Sequence, residues 1–223
     1  MIADNLKAVK ERIAAALSNA NRALDGAMLL AVSKTFPPET IQEAYDAGQR
    51  CFGENRVQEL VEKAPKLPQD IVWHVIGHLQ QNKVRQALQH AAWIHSVDSS
   101  ELFARINRIA EELRVSPTIL LEVNISGEES KFGLKPDDVE KVISDNLGGP
   151  ARCAGLMTVA PAMASEAELH RIFAALRNLR DKLQSNLKTS LPELSMGMSD
   201  DFEIAIAEGA TIVRVGSAIF GHR

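Results

Sequence analysis

The sequence has little with which to hold nucleic acid, a membrane or a structural metal. Of 223 residues only two are cysteine, Cys51 and Cys153, about a hundred positions apart and without a CxxC partner. That spacing argues against a disulfide framework and the usual zinc motifs, and a reducing cytoplasm is the expected location. Aromatics make up 4% of the chain and the formal net charge is −4, so stacking platforms for bases are few and no basic field awaits a polyanion. No nucleic-acid partner is expected. Long apolar runs are missing too. The N-terminal MIADNLKAVKERIAAALSNANRAL carries charge throughout, which fits neither a signal peptide nor a membrane span. There are six histidines, but His74 and His78 flank a β-branched stretch and lack the helical HExxH setting. They are expected to serve structure or to support other side chains, and no metal site is expected.

What remains is the mixture of a globular enzyme-like protein, 45% hydrophobic and 24% charged. The length suits one domain, residues 1–223, somewhat short of the roughly 250 residues typical of a (β/α)₈ barrel. Leu6, Val9, Ile13, Leu17, Ala20 and Leu24 recur at spacings of three and four, which predicts an amphipathic helix over 4–24. Short apolar runs follow at 28–33, 51–54, 71–77, 93–97, 118–125, 153–159, 193–196 and 211–216. Each gives way to a polar loop and then to a helical stretch. Pro38 and Pro136 stand near helix starts, Gly48 stops the first of these, and 166–185 reads as one long amphipathic helix. Continuous rather than alternating strands mark a parallel sheet buried on both faces. Eight such units predict an α/β protein, a (β/α)₈ TIM barrel with an extra N-terminal helix. A doubly wound open sheet is the alternative, but KTFPPET follows the first strand where a dinucleotide fold carries GxGxxG.

In a barrel the chemistry sits where strands end. The runs here deliver Lys34, Glu54, Asn55, His78, Gln80, Asn82, Lys83, Asp98, Asn124, Met157, Ser199, Arg214, Gly216 and Ser217. Lys34 directly follows six residues expected to be buried. Desolvation and nearby cations there ease the loss of its proton, and a neutral amine attacks carbonyls. A lysine that snorkels to solvent is the alternative, and this residue alone leaves the two open. Loops after the seventh and eighth strands are the usual phosphate site of a barrel. Here Ser199 or Asp200 is expected to cap one helix, with Asp200 and Glu203 at capping-box spacing. Gly216 and Ser217 are expected to open another, with free N–H groups and a glycine that lets the backbone approach phosphate.

LLAVSKTFPPETIQEAYDAGQRCFGENRVQEL, WHVIGHLQQNK, VNISGEESKFGL, GLMTVAP and LSMGMSDDFEIAIAEGATIVRVGSAIFG run in order across nearly the whole chain. Together they resemble the YggS/PROSC family of pyridoxal 5′-phosphate (PLP) homeostasis proteins, whose fold is similar to the barrel domain of alanine racemase. The resemblance implies that Lys34 in AVSK carries PLP as a Schiff base and that Asn55 in FGEN lines the cofactor pocket. It implies phosphate contacts from Ser199, Gly216 and Ser217, and it sets Arg214 in VRVG beside the pyridine nitrogen. An arginine donor favours an unprotonated ring and a weaker electron sink than an aspartate would. Two departures stand out: Phe36 where some relatives have a second lysine, and Arg56 where some have tyrosine. Lys131, in SKFG, is a second available amine.

Three functions share such a lysine. The first is a cytoplasmic, monomeric carrier that buffers PLP, exchanges it with PLP-dependent enzymes and has no catalytic residues. The second is a PLP-dependent amino-acid racemase, and the third a class I aldolase that uses Lys34 without a cofactor. Alanine racemase takes a second base, a tyrosine, from a separate β-domain. Only seven residues follow Gly216, which leaves no room for one after the barrel, and the sole tyrosine, Tyr45, falls on the helix after the first strand.

Overall fold

The computed structural model describes residues 1–128 and 132–221. Eight parallel strands close into a barrel in sequence order: β1 (Met28–Val32), β2 (Cys51–Glu54), β3 (Val72–Val75), β4 (Trp93–Val97), β5 (Thr118–Glu122), β6 (Arg152–Met157), β7 (Glu193–Ser195) and β8 (Ile212–Val215). The doubly wound alternative is thereby excluded. Every predicted strand is present, and each is within about three residues of its expected bounds.

The surrounding helices are α1 (Ile2–Asn19), α2 (Pro38–Asp46), α3 (Val57–Lys63), α4 (Val84–Leu88), α5 (Ser100–Leu113), α6 (Val139–Asn146), α7 (Glu166–Leu187), α8 (Phe202–Ala207) and α9 (Ser217–Phe220). Pro38 occupies the first turn of α2, where the missing N–H costs no hydrogen bond. Ser165 and Ser99 cap α7 and α5 by accepting from Glu168 N and Leu102 N. The N-terminal helix is shorter than its apolar pattern predicts. It stops at Asn19, Asn21 turns left-handed at φ 54°, and Leu24 is 70% exposed, so the last apolar position of the pattern is a solvent-facing loop residue. No helix among the described residues is long and apolar enough to cross a membrane.

The core divides as a barrel requires. Leu29, Ala31, Phe52 and Val213 belong to a large cluster with the helices, whereas Leu30, Leu120, Ala154, Met157 and Ile212 form a smaller one on the alternate positions, inside the barrel. α1 lies against α8 and α9 and braces the end of the chain. Asn5 Nδ2 donates to Ile219 O at 2.9 Å, and Arg12 pairs with Glu203 at 2.6 Å.

The β5–β6 register slips between Ile119 and Leu120, opposite Gly155. A Cβ at Gly155 would lie 1.9 Å from Glu193 O, and its φ of 158° is outside the usual range of L residues. Gly155→Ala is expected to lower stability by at least roughly 3 kcal/mol, the upper range of forced overpacking. Urea denaturation checks this, and an unchanged midpoint would contradict the close approach.

Candidate functional site

Strand β1 ends at Val32, and the chain then turns outward through Thr35, a β-branched residue at φ 69°. Something must hold that turn. Thr35 N donates to Glu59 Oε2 at 2.6 Å, Ser33 Oγ donates to Glu54 Oε1 at 2.7 Å, and Lys63 Nζ donates to both carboxylates at 2.9 Å and to Ser33 O at 3.1 Å. Lys34 is thus presented by a backbone clamped on both sides. Its side chain is exposed, so the expected desolvation of the amine is not found: the outward turn carries it to the rim. Glu54, expected at the mouth, is instead fully buried against Lys63. Burial pushes its carboxyl up, while Lys63 and Ser33 pull the other way.

A cleft of about 420 Å³ opens beside Lys34 at the C-terminal ends of the strands. All six residues singled out in the sequence line it: Lys34, Asn55, Ser199, Arg214, Gly216 and Ser217. At one end Ser199 Oγ accepts from Gly216 N at 3.3 Å and from Ala218 N at 3.5 Å. These are long bonds that a better acceptor would replace. Ser199 therefore serves the start of α9; the N-cap of α8 is Asp201, whose Oδ1 accepts from Met198 N at 2.5 Å. The N-cap therefore falls just beyond the expected Ser199 or Asp200. α9 is a single turn, so what it offers is N–H groups rather than a helix dipole. A Cβ at Gly216 would lie 3.2 Å from Val32 O, so here the glycine first of all lets β1 pass. Phe36 packs on Phe220 with ring centroids 5.1 Å apart, tying the Lys34 loop to α9.

Arg214 is buried in the cleft wall with no ion pair to a carboxylate among the described residues. Nη1 donates to Ser195 Oγ at 2.7 Å and Nη2 to Thr158 O at 2.9 Å. Burial lowers its pKa to about 10, against the pull of Asp201 and Glu122. Sequence reasoning missed what lies beneath it: Ser195 Oγ meets His95 Nδ1 at 2.9 Å, and His95 Nε2 meets His74 Nδ1 at 2.9 Å. Their position at alternate, inward-facing places of β3, β4 and β7 was the available signal.

Other strand-end residues stand apart from the cleft. Asn55 also borders a neighbouring groove with Arg56, His78, Gln80 and Lys83. Asn82 lines a different hollow beside α5, and Asn124 folds its own loop by accepting from Gly127 N at 3.0 Å. His78 pairs with Asp98 at 3.0 Å. Lys131 lies outside the described residues. Among these, no three His, Cys, Asp or Glu side chains gather as metal ligands, and Cys51 and Cys153 are free thiols.

The family model of the alanine racemase N-terminal domain matches residues 5–223. The chain is 43% identical over 222 residues to the pyridoxal phosphate homeostasis protein of Aquifex aeolicus, covering 99% of this chain and 97% of the relative. It superposes on PipY of Synechococcus elongatus, solved with PLP bound, with a TM-score of 0.87 and 41% identity over 99% of this chain and 100% of that one. Alanine racemase of Clostridium difficile shares the fold alone, with a TM-score of 0.75 and 14% identity; the match covers 99% of this chain and 57% of the enzyme.

Glu122, at the end of β5, was also missed. Burial, and then Asp98, push its carboxyl up to about 7, against Arg214 and His78. Between about pH 4.3, the unfolded value, and about 7 the folded chain therefore binds more protons than the unfolded one. Stability is expected to fall as pH rises through that window, and Glu122→Gln to flatten the fall. Urea midpoints taken across the range decide it: an equal slope in both proteins would contradict the raised carboxyl.

Proposed function

The chain belongs to the family of the pyridoxal phosphate homeostasis proteins, and from that premise we propose that it holds PLP in the cleft beside Lys34 and acts as a carrier in vitamin B6 and amino-acid homeostasis. The observation that carries this reading is the convergence of an exposed amine, a buried guanidinium and weakly satisfied backbone N–H groups on one cleft of about 420 Å³. That space falls within the roughly 300–1,000 Å³ usual for small-molecule sites. The residues fit the group: an amine for its aldehyde, a cation for its ring nitrogen and N–H donors for its phosphate.

Bound there, PLP supplies an aldehyde that takes up amines and a ring that withdraws electrons from them. Lys34 holds the aldehyde carbon. Gly216 N, Ser217, Ala218 N and the Ser199 hydroxyl hold the phosphate, as donors that an anion oxygen satisfies better than Ser199 does alone. Arg214 has donors and no acceptor, so a ring nitrogen facing it accepts and stays unprotonated. That restrains carbanion chemistry. Asn55 borders the cleft and the adjoining groove, where an incoming amine has access to the rim. We take the whole chain, 1–223, to work as one domain and as a monomer in the cytoplasm, passing cofactor to PLP-dependent enzymes, with no catalytic residues of its own.

The racemase reading requires a base on each side of the substrate α-carbon. Tyr45 is on α2, outside the barrel, where its hydroxyl donates to Asp70 at 2.6 Å and Arg50 lies 3.8 Å over its ring. It is not available opposite Lys34. The aldolase reading leaves the phosphate end of the cleft without a purpose.

After saturation with PLP and removal of the unbound cofactor, the purified chain is expected to retain a visible absorption band that Lys34→Ala abolishes; a protein that retains no such band would refute the assignment. Loaded protein incubated with L-alanine in deuterium oxide is expected to form no D-alanine at a useful rate. Sustained turnover to D-alanine that depends on Lys34 would establish the racemase instead.

A further inference from the structure

Arg214 rests on a line of three buried polar side chains inside the barrel. Ser195, His95 and His74 are each fully buried, and successive links measure 2.7, 2.9 and 2.9 Å. His74 stacks on Trp93 with ring centroids 5.2 Å apart, which fixes the far end of the line.

The direction of the hydrogen bonds follows from counting donors. A guanidinium only donates, so Ser195 Oγ accepts from Arg214 and keeps its own proton to give. The acceptor in reach is His95 Nδ1. A His95 ring that accepts there carries its proton on Nε2 and gives it to His74 Nδ1. His74 is then the Nε2–H form, and Nε2 is indeed without a partner among the described residues. This order leaves one group unsatisfied. The reverse order leaves two, the serine O–H and the His74 lone pair, and buried polar groups are seldom left so.

We propose that His95 and Ser195 are positioning residues for Arg214: a one-way chain of neutral donors, running away from the cleft, fixes the guanidinium and leaves it, among the described residues, the one cation of that line. This rests on the reading of Arg214 as the partner of the pyridine nitrogen. Each serine or imidazole that gives its proton onward becomes a better acceptor for the group behind it. The cation is thereby stabilised although no carboxylate forms an ion pair with it among the described residues. A protonated His95 would reverse the effect by placing a second positive charge one serine away. Desolvation, then His74 and Arg214, hold the His95 ring well below its ordinary value, and desolvation holds that of His74 at about 3.

Two measurements test this. Long-range proton–nitrogen NMR of the imidazole rings, on the full cofactor-free chain, is expected to show two rings that stay neutral and Nε2-protonated from about pH 5 to 8. An Nδ1–H tautomer at His95, or titration of either buried ring in that range, would overturn the proposal. In PLP-loaded protein, Ser195→Ala and His95→Leu are expected to weaken retention roughly two- to tenfold, the loss of one neutral hydrogen bond, and to shift the pH at which the visible band changes. His95→Asn, which keeps an acceptor near the Nδ1 position, is expected to recover both. Retention and band unchanged in Ser195→Ala, or no recovery with Asn, would also overturn it. Should the parent protein fail to bind PLP, the proposed function falls while the ring tautomers still decide the relay.

Discussion

Closure of the barrel between its first and last strands is the constraint on which the rest depends. Leu30 of β1 pairs with Arg214 of β8, and Ala31 with Val215. Strands that run in parallel end together, so this register sets Lys34 beside Gly216 and Ser217 although about 180 residues separate them in the chain. The same pairing brings Val32 close to residue 216, where a Cβ would crowd Val32 O at 3.2 Å. An open sheet with β1 and β8 at opposite edges would have scattered the amine, the guanidinium and the N–H donors.

Around that seam the barrel is reinforced from both sides. On the outside, Glu54, Glu59 and Lys63 fasten the backbone flanking Lys34, and Phe36 against Phe220 ties its loop to α9. α1 then holds α9 from below through Asn5. On the inside, Arg214 and the polar line beneath it replace part of the apolar filling normal for a barrel core. Buried polar groups of this kind are costly unless satisfied, and the one unpartnered imidazole nitrogen lies at the end of the line farthest from the cleft.

Most of this fold was legible in the sequence because parallel strands covered on both faces are unbroken apolar runs, and each of the eight had its loop and helix after it. Lys34, Asn55, Ser199, Arg214, Gly216 and Ser217 were legible as strand-end residues and by resemblance. What escaped depends on three dimensions. Leu24 continues the apolar period of α1, yet the left-handed turn at Asn21 has already ended the helix. Glu54 looks like a mouth residue, but strand alternation turns it outward onto Lys63. His74, His95 and Ser195 sit in separate strands, and only closure of the barrel brings them into line. Glu122 resembled any strand-end carboxylate until Asp98 and Arg214 were placed near it.

The central claim is that Lys34 is the residue at which this chain holds its cofactor, and covalent trapping tests it most directly. Borohydride reduction of the PLP-loaded protein, followed by proteolysis and mass mapping, is predicted to place the pyridoxyl group on the peptide containing Lys34. Recovery of the adduct on Lys83 or Lys131, with Lys34 unmodified, would contradict it.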